Sequence, residues 1–207
     1  MGRPAELSRE RIVAEALVLL DEAGVAGLTM RGLATRLGVK AASLYHHVRG
    51  LDDLVVGMQD AVNSDIDVAL LDDDSADGLA GFARSYRTAY QRHPAAADLV
   101  SRRPLTAPTA FVVYDALAAH LVRRGLPDDE VLPVMAALDF VVLGSAGETL
   151  AEDLAAAPAA LLADRPHLAR AMVALPPTDV DDAAFELSLR LLTAAVEERL
   201  VSARASR

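Results

Sequence analysis

Apolar residues near the amino terminus recur at the spacing of short α-helices. Ser8 can cap a first helix, and Gly24 is expected to end it. Between them, the apolar positions share one face: Ile12, Val13, Ala16, Leu17 and Leu20. Thr29 can cap a second helix, which lasts barely two turns before Gly38. Its apolar positions follow the i, i+3, i+4, i+7 series: Met30, Leu33, Ala34 and Leu37.

A third, short helix is predicted from Lys40 to about Val48, with only Leu44 and Val48 facing inward. Gly50 separates it from a fourth helix, whose first turn holds two aspartates at the positive end of the helix dipole. The fourth helix has these apolar positions: Leu54, Val55, Met58, Val62 and Ile66.

The same helical spacing continues through the rest of the chain. Residues 71–78 read as a loop, and the predicted helices are 79–92, a short one after Pro94, 109–124, about 127–154 and 181–204. Pro133 moves the expected start of the 127–154 helix nearer Glu130. No alternation typical of strands occurs, so the pattern predicts an all-α protein.

Composition narrows the class of protein. The 207 residues include no cysteine, which excludes disulfides, thiolate metal sites and cysteine nucleophiles. No apolar run reaches the length of a membrane span, and no apolar stretch follows the basic start as in a secretory signal. We therefore expect a cytoplasmic protein with no membrane partner.

The charge is unevenly distributed. The net charge is −10, yet residues 1–58 hold seven basic and seven acidic groups, whereas the remainder holds 13 basic and 23 acidic groups. No acid occurs between Glu22 and Asp52, and two histidines lie there beside these cations: Arg31, Arg36, Lys40 and Arg49. A confined positive patch on an acidic protein is typical of a module that contacts phosphates.

Two short helices joined by a glycine turn predict a helix-turn-helix arrangement. Ala34 is small where the helices approach, Gly38 supplies the turn, and Leu44 anchors the second of the two helices. Its outward positions are Lys40, Ala41, Ala42, Ser43, Tyr45, His46 and His47. A helix of this width fits the major groove of DNA.

These residues resemble the tetracycline-repressor (TetR) family of transcription regulators, most closely in segments 28–31, 33–34, 37–39 and 43–48. Segments 84–90, 102–104 and 140–144, with His93, are similar to the regulatory half of the tetracycline repressors. The resemblance implies an N-terminal three-helix helix-turn-helix DNA-binding domain (1–50), a connecting helix (51–71) and a larger helical ligand-binding and dimerisation domain (72–207).

The resemblance also implies DNA contacts. Arg31 falls where the family sends an arginine to guanine, Ser43 and Tyr45 match contacts to base edges or phosphate, and His47 matches a phosphate contact. Leu51 stands where tetracycline repressors have a phosphate-binding lysine, and we expect Arg49 to substitute in part. The full set of candidates is Met30, Arg31, Lys40, Ala41, Ala42, Ser43, Tyr45, His46, His47 and Arg49.

Other interpretations of these residues remain. Ala41 and Ala42 have no hydrogen-bonding side chain, so they can only meet a thymine methyl or allow close approach. Tyr45 can instead be a packed aromatic with its hydroxyl in water. His46 and His47 diverge by about 100° on a helix, which disfavours a shared metal; we predict no metal and no cofactor.

The resemblance implies a homodimer whose interface is a four-helix bundle, built from helices 130–154 and 181–204. The last helix carries a regular apolar stripe: Phe185, Leu189, Leu192, Val196 and Leu200. This stripe either supports association or closes the core of its own domain.

The candidates for a small-molecule effector site are polar groups in an apolar half: Tyr86, Tyr90, His93, Arg102, Arg103, Tyr114, His120, Asp139 and Glu148. Val100 stands where tetracycline repressors have a magnesium-binding histidine, so magnesium–tetracycline is disfavoured. Asp139 is flanked by apolar residues at helical spacing and needs a partner, either an internal arginine or a basic group of the ligand.

The sequence therefore predicts a ligand-responsive transcriptional repressor that binds a pseudo-palindromic operator as a dimer and is released by an effector. The alternative is an all-α carrier or enzyme with no role at DNA. We find no nucleophile constellation, phosphate-cradling glycine loop or paired-histidine metal motif, so we predict no enzyme. Salt-dependent binding to DNA distinguishes the two hypotheses.

Overall fold

A computed structural model describes residues 7–101, 106–146, 154, 156–175 and 180–205. These residues form α-helices and no strand, which confirms the all-α prediction. The helices are α1 (Arg9–Gly27), α2 (Met30–Leu37), α3 (Ala41–Leu44), α4 (Leu51–Ser64), α5 (Ala76–Gln91), α6 (Pro94–Ser101), α7 (Pro108–Arg124), α8 (Asp128–Gly144), α9 (Ala159–Leu162), α10 (Pro166–Ala174) and α11 (Val180–Ala205). A 3-10 helix (Val68–Asp72) lies between α4 and α5. None of the described helices is long and apolar enough to cross a membrane.

The first two helices begin and end where local signals predict. Ser8 Oγ accepts a hydrogen bond from the Arg11 amide at the start of α1, and Thr29 Oγ1 accepts one from the Gly32 amide at the start of α2. The backbone leaves the helical conformation at Gly24, with φ of 64°, before one further turn. Gly38 ends α2 in the left-handed conformation.

The third helix is shorter than predicted. Only Ala41–Leu44 is α-helical, and the chain then turns so that the amides of His47 and Val48 both donate to the Leu44 carbonyl at 2.9 Å. The prediction of a helix from Lys40 to Val48 is therefore wrong in length. This tighter turn keeps both Leu44 and Val48 buried, as predicted.

The predicted loop 71–78 is also wrong in part. The 3-10 helix includes its first residues, and α5 already begins at Ala76 because Ser75 Oγ accepts hydrogen bonds from the amides of Asp77 and Gly78.

The predicted long helix 127–154 ends earlier than expected, and the expected shift of its start towards Glu130 is wrong. It begins at Asp128, before Glu130, because three acids in the first turn favour that start, with Pro133 tolerated inside. It ends at Gly144, where the Ser145 hydroxyl donates to the Val142 carbonyl. Residues 147–153 lie outside the described residues. The hydrophobic pattern did not predict α9 or α10. For α10, the sequence signal was Pro166, which occupies the first position of the helix.

Helix α4 packs against α1 on one side and against α5 and α7 on the other. Its apolar residues Leu54, Val55, Met58 and Val62 are buried, and they belong to one continuous core that extends through both halves of the chain. The helix therefore physically connects the N-terminal three helices with the remainder.

Helix α11 uses its regular apolar stripe to close the core of its own chain. Four of the five stripe residues are buried and Leu192 is partly buried. Four ion pairs fix the helix to α5, α7 and α8: Arg84–Glu186, Arg87–Asp182, Arg124–Glu197 and Glu130–Arg199. The exposed face of α11 carries other apolar residues: Leu187, Leu191 and Val201.

His120 is expected to make the protein less stable in mild acid. Its fully buried ring places Nδ1 2.9 Å from the Leu71 carbonyl oxygen, and Nε2 has no hydrogen-bond partner among the described residues. Burial lowers the pKa of His120, so the native imidazole stays neutral where the unfolded chain, with a pKa of about 6.5, takes up a proton. Below about pH 6.5, the free energy of unfolding should fall by up to about 1.4 kcal/mol per pH unit.

Denaturant titrations at pH 7.5 and 5.5 measure this loss. The variant His120→Asn keeps a donor for the Leu71 carbonyl but cannot be protonated, so its stability should change less between the two pH values. An equal loss in both proteins would show that His120 is not the cause.

Candidate nucleic-acid interface and ligand cavity

The short helix α3 presents a polar, partly cationic surface to solvent. Lys40, Ala41, Ala42 and His46 are exposed, and the Tyr45 side chain is 55% exposed, so Tyr45 is not a packed aromatic. Arg31, at the start of α2, is exposed as well, whereas the remaining candidates Met30, Ser43 and His47 are half-buried. The Arg49 side chain is 92% exposed. Every predicted DNA-contacting residue is therefore at least partly accessible.

Arg36 does not contribute an unpaired charge to the predicted patch. Its guanidinium forms ion pairs with Glu15 and Glu22 of α1, and these pairs raise the pKa of Arg36 further above its ordinary value. The local charge of +4 counted along the sequence is thus too high. The remaining cations of the predicted patch are Arg31, Lys40 and Arg49, and Arg49 stays almost fully exposed although its Nη2 lies 3.8 Å from Asp53 Oδ1.

Arg9 and Asp53 hold the third helix against its neighbours. The Arg9 guanidinium donates to both Asp53 carboxylate oxygens at 3.0 Å and to the His47 carbonyl at 3.2 Å. Asp53 also accepts a hydrogen bond of 2.8 Å from the Arg49 amide. These bonds join the start of α1, the turn after α3 and the start of α4, so they fix the orientation of the exposed α3 surface.

Asp53→Asn is expected to lower the free energy of unfolding by about 1–3 kcal/mol at pH 7. The Arg9 hydrogen bonds, with the Arg49 amide, hold the pKa of Asp53 at about 2. A lowered pKa means that this contribution is present above the unfolded pKa of about 3.9 and is lost as the pH falls towards 2. Urea titrations of both proteins at pH 7 and pH 2.5 should show the difference at pH 7 shrink in acid.

The control for this comparison is Asp164→Asn, since Asp164 is exposed and lies after α9. It removes the same charge and should leave stability at pH 7 nearly unchanged. A difference between Asp53→Asn and the parent protein that persists unchanged at pH 2.5 would contradict the assignment.

Three of the predicted effector-site residues converge on one small cavity. Tyr86 and Tyr90 of α5 and Tyr114 of α7 line it, together with four residues that the sequence analysis did not identify: Gln59, Asn63, Ala110 and Val113. The Tyr86 and Tyr90 ring centroids are 5.4 Å apart. The cavity has room for about one water molecule.

The cavity is bounded by α4 and connected to it by hydrogen bonds. The Tyr90 hydroxyl donates to Asn63 Oδ1 at 2.9 Å, and Thr109 of α7 donates through its amide and its hydroxyl to Asp60 Oδ1. Gln59 and Asn63 are 4% and 5% exposed on an otherwise apolar helix face. Two amide side chains four residues apart on an apolar helix face were the sequence signal that could have indicated the contact between α4 and the tyrosines.

Asp139 of α8 lies beside the same tyrosines. Its Oδ2 accepts a hydrogen bond from the Tyr114 hydroxyl, while Oδ1 is buried without a hydrogen-bond partner in the described part of the chain. Burial raises the pKa of Asp139, and the nearby hydroxyl groups of Tyr114 and Tyr86 oppose that rise. Burial likewise raises the pKa of all three tyrosines. Among the described residues, the hydrogen-bond partner of Asp139 is Tyr114, which is neither the internal arginine nor the basic ligand group that the sequence left open.

Two other predicted effector-site residues, His93 and His120, lie away from the cavity lining. His93 Nδ1 is 2.7 Å from Asp21 Oδ2 and so connects the end of α5 to α1. His120 is buried against the 3-10 helix. Arg102, Arg103 and Glu148 are outside the described residues.

Comparisons with known proteins give consistent matches. The family described as "Bacterial regulatory proteins, tetR family" matches residues 12–57, and "Tetracyclin repressor-like, C-terminal domain" matches residues 69–200. An HTH-type transcriptional regulator of Saccharopolyspora erythraea is 37% identical over 67% of this chain and 59% of its own length. The class A tetracycline repressor from transposon 1721 of Escherichia coli is 31% identical over 72% of this chain and 69% of its length.

The chain spans 59%, 50% and 56% of the lengths of the first three curated relatives that it matches. Among solved structures, apo ActR from Streptomyces coelicolor superposes with a TM-score of 0.73 at 27% identity, covering 98% of this chain and 100% of that one. ActR in complex with actinorhodin superposes with a TM-score of 0.71 at 27% identity, covering 93% and 96%.

Proposed function

Because the chain belongs to the TetR family of bacterial transcriptional regulators, we propose that it is a ligand-responsive repressor that binds a pseudo-palindromic operator as a homodimer. The observation that carries the proposal is the exposed α3 surface, held in place by Arg9 and Asp53. In this proposal residues 1–50 are the DNA-binding domain, 51–71 the connecting helix, and 72–207 the ligand-binding and dimerisation domain. The family consists of regulators, which are not enzymes, and we propose no enzymatic activity.

At DNA, α3 lies in the major groove. Arg31 forms a bidentate contact with a guanine, and Tyr45 and Ser43 contact base edges or phosphate. Lys40, His47 and Arg49 contact phosphates on either side. Ala41 and Ala42 allow close approach and meet thymine methyls, while Met30 and His46 lie at the edge of the contact.

Dimerisation places two copies of α3 in successive major grooves, about 34–36 Å apart. The exposed apolar side chains of α8 and α11 support the interface: Leu132, Phe140, Leu187, Leu191 and Val201. The two helices pack against each other within one chain, so a symmetric partner would complete a four-helix bundle.

The effector binds at the tyrosine-lined cavity. A solved relative, ActR, has been captured with actinorhodin, which supports a small-molecule effector here. The cavity is bounded by α4, whose first turn is bonded to the DNA-binding domain through Asp53. If the effector binds more tightly to a state in which α4 is displaced, it favours that state. Operator affinity then falls by as much as the effector's affinities for the two states differ.

Selection of bound sequences from random duplex DNA tests the proposal. We expect enrichment of a pseudo-palindrome whose half-sites are about one helical turn apart, and a mobility shift with the neighbouring upstream DNA. A carrier or enzyme without a role at DNA would enrich no sequence, which would contradict the proposal.

A further inference from the structure

One buried oxygen beside the cavity has no partner in the described structure. Asp139 Oδ2 accepts a hydrogen bond from Tyr114, but Oδ1 is shielded from solvent and accepts no hydrogen bond from a described residue. The neighbouring buried residues Met135, Leu138 and Val142 of α8 are apolar. A carboxylate oxygen that is shielded from water without a partner is unfavourable in the free protein, so a group that pairs with Oδ1 relieves that cost.

Three arginines of α5 and α7 are engaged in ion pairs with α11. Arg84 and Arg87 of α5 pair with Glu186 and Asp182 of α11, and Arg124 pairs with Glu197. Among the described residues that line the cavity, none is cationic. A ligand anion would therefore find no opposite charge among these described lining residues, whereas a ligand cation would find Asp139, which is hydrogen-bonded to Tyr114 of the lining.

The rest of the lining also suits a cation. Three of its residues are tyrosines, whose rings attract cations at their faces: Tyr86, Tyr90 and Tyr114. The part of the chain after Met58 carries 23 acidic against 13 basic groups, so its field favours the approach of cations.

We propose that the effector is an aromatic organic cation whose protonated amine pairs with Asp139 and whose apolar body packs against Tyr86, Tyr90 and Tyr114. This rests on the proposed function, because it assigns a chemical class to the effector of that regulator. The amine donates to Asp139 Oδ1, and the body enlarges the small cavity towards α4, where Tyr90 bonds Asn63. Binding thereby acts on the helix that leads to the DNA-binding domain.

The test uses aromatic ring systems of one, two and three fused rings. Each is prepared with a methylammonium, a neutral hydroxymethyl or an acetate substituent. Calorimetry and the shift in melting temperature are measured for each compound at pH 7.5. We expect at least one ammonium to bind at least ten-fold more tightly than its neutral and anionic counterparts. Asp139→Asn should lose this preference, while Asp139→Glu should retain at least part of it.

Asp115→Asn is the matched control. Asp115 is exposed on α7 next to Tyr114, and its substitution removes the same charge. It should retain the preference of the parent protein. Three results would each overturn the proposal. They are an anion that binds as tightly as the ammonium, a preference for the ammonium that survives in Asp139→Asn, and no stabilisation by any ammonium up to 10 mM. Should Asp139→Asn not fold, the ranking of the three charge forms on the parent protein decides.

Operator binding is measured on the same samples. The preferred ammonium should release the parent protein from its selected DNA and should not release Asp139→Asn. If the protein binds its operator but prefers anions, only the assignment of the effector fails. If it binds no DNA sequence, the proposed function fails, whatever the ligand result.

Discussion

Leu191→Glu is expected to convert the dimer into a monomer and to weaken binding to the full operator by about 10²–10⁴-fold. The Leu191 side chain is 64% exposed in the single chain, on the face of α11 that we propose meets the partner. A glutamate there leaves the fold intact but places a desolvated charge in the dimer interface. Without dimerisation the second half-site no longer raises the affinity of the first.

Sedimentation velocity and fluorescence anisotropy measure the two effects on one sample. The control is Val112→Glu on α7, a residue that is also 64% exposed and lies outside the proposed interface. It should leave both the mass and the operator affinity unchanged. A dimeric Leu191→Glu protein would show that the interface lies elsewhere.

Arg31→Ala is expected to cost about 1–3 kcal/mol of operator affinity and to relax the preference at one base pair of each half-site. The loss arises because Arg31 is exposed at the start of α2 and makes the proposed bidentate contact to guanine. Binding to a set of operators with each base pair changed in turn measures both quantities.

Arg36→Gln provides the comparison on the same helix. Arg36 is paired with Glu15 and Glu22, so its loss should not change the base preference at any position. If Arg31→Ala weakens all sequences equally, Arg31 contacts phosphate rather than a base.

Local signals allowed most helix ends of the first 60 residues to be predicted. Ser8 and Thr29 cap their helices with hydrogen bonds to residues three positions away, and Gly38 ends α2 with a positive φ. These interactions involve only neighbours in the sequence, so the residue type alone is sufficient evidence.

Contacts between distant segments could not be predicted in this way. From the sequence, Arg36 is an unpaired cation of the patch, whereas in the structure it is paired with Glu22, 14 residues away. The Asn63–Tyr90 bond joins residues 27 positions apart, and Tyr114 lies 25 positions before Asp139. The tyrosines and Asp139 were predicted as separate candidates, but their convergence depends on the packing of α5, α7 and α8.

The same reasoning explains the stripe on α11. A 3–4 spacing shows that one helix face is apolar, but not whether its own chain or a second copy covers that face. The structure places Phe185 and Leu189 in the chain's own core. The proposed interface therefore depends on Leu187 and Leu191, which regular spacing did not identify.

The most direct test of the central claim is the salt dependence of binding to the selected operator. If Lys40 and Arg49 of two subunits contact phosphates, the logarithm of the association constant should fall with the logarithm of salt concentration with a slope of about −3 to −4. The slope should become shallower by about 2 in Lys40→Ala, since each dimer loses two contacts. Affinity that does not change with salt, or an unchanged slope in Lys40→Ala, would contradict the placement of α3 at the DNA backbone.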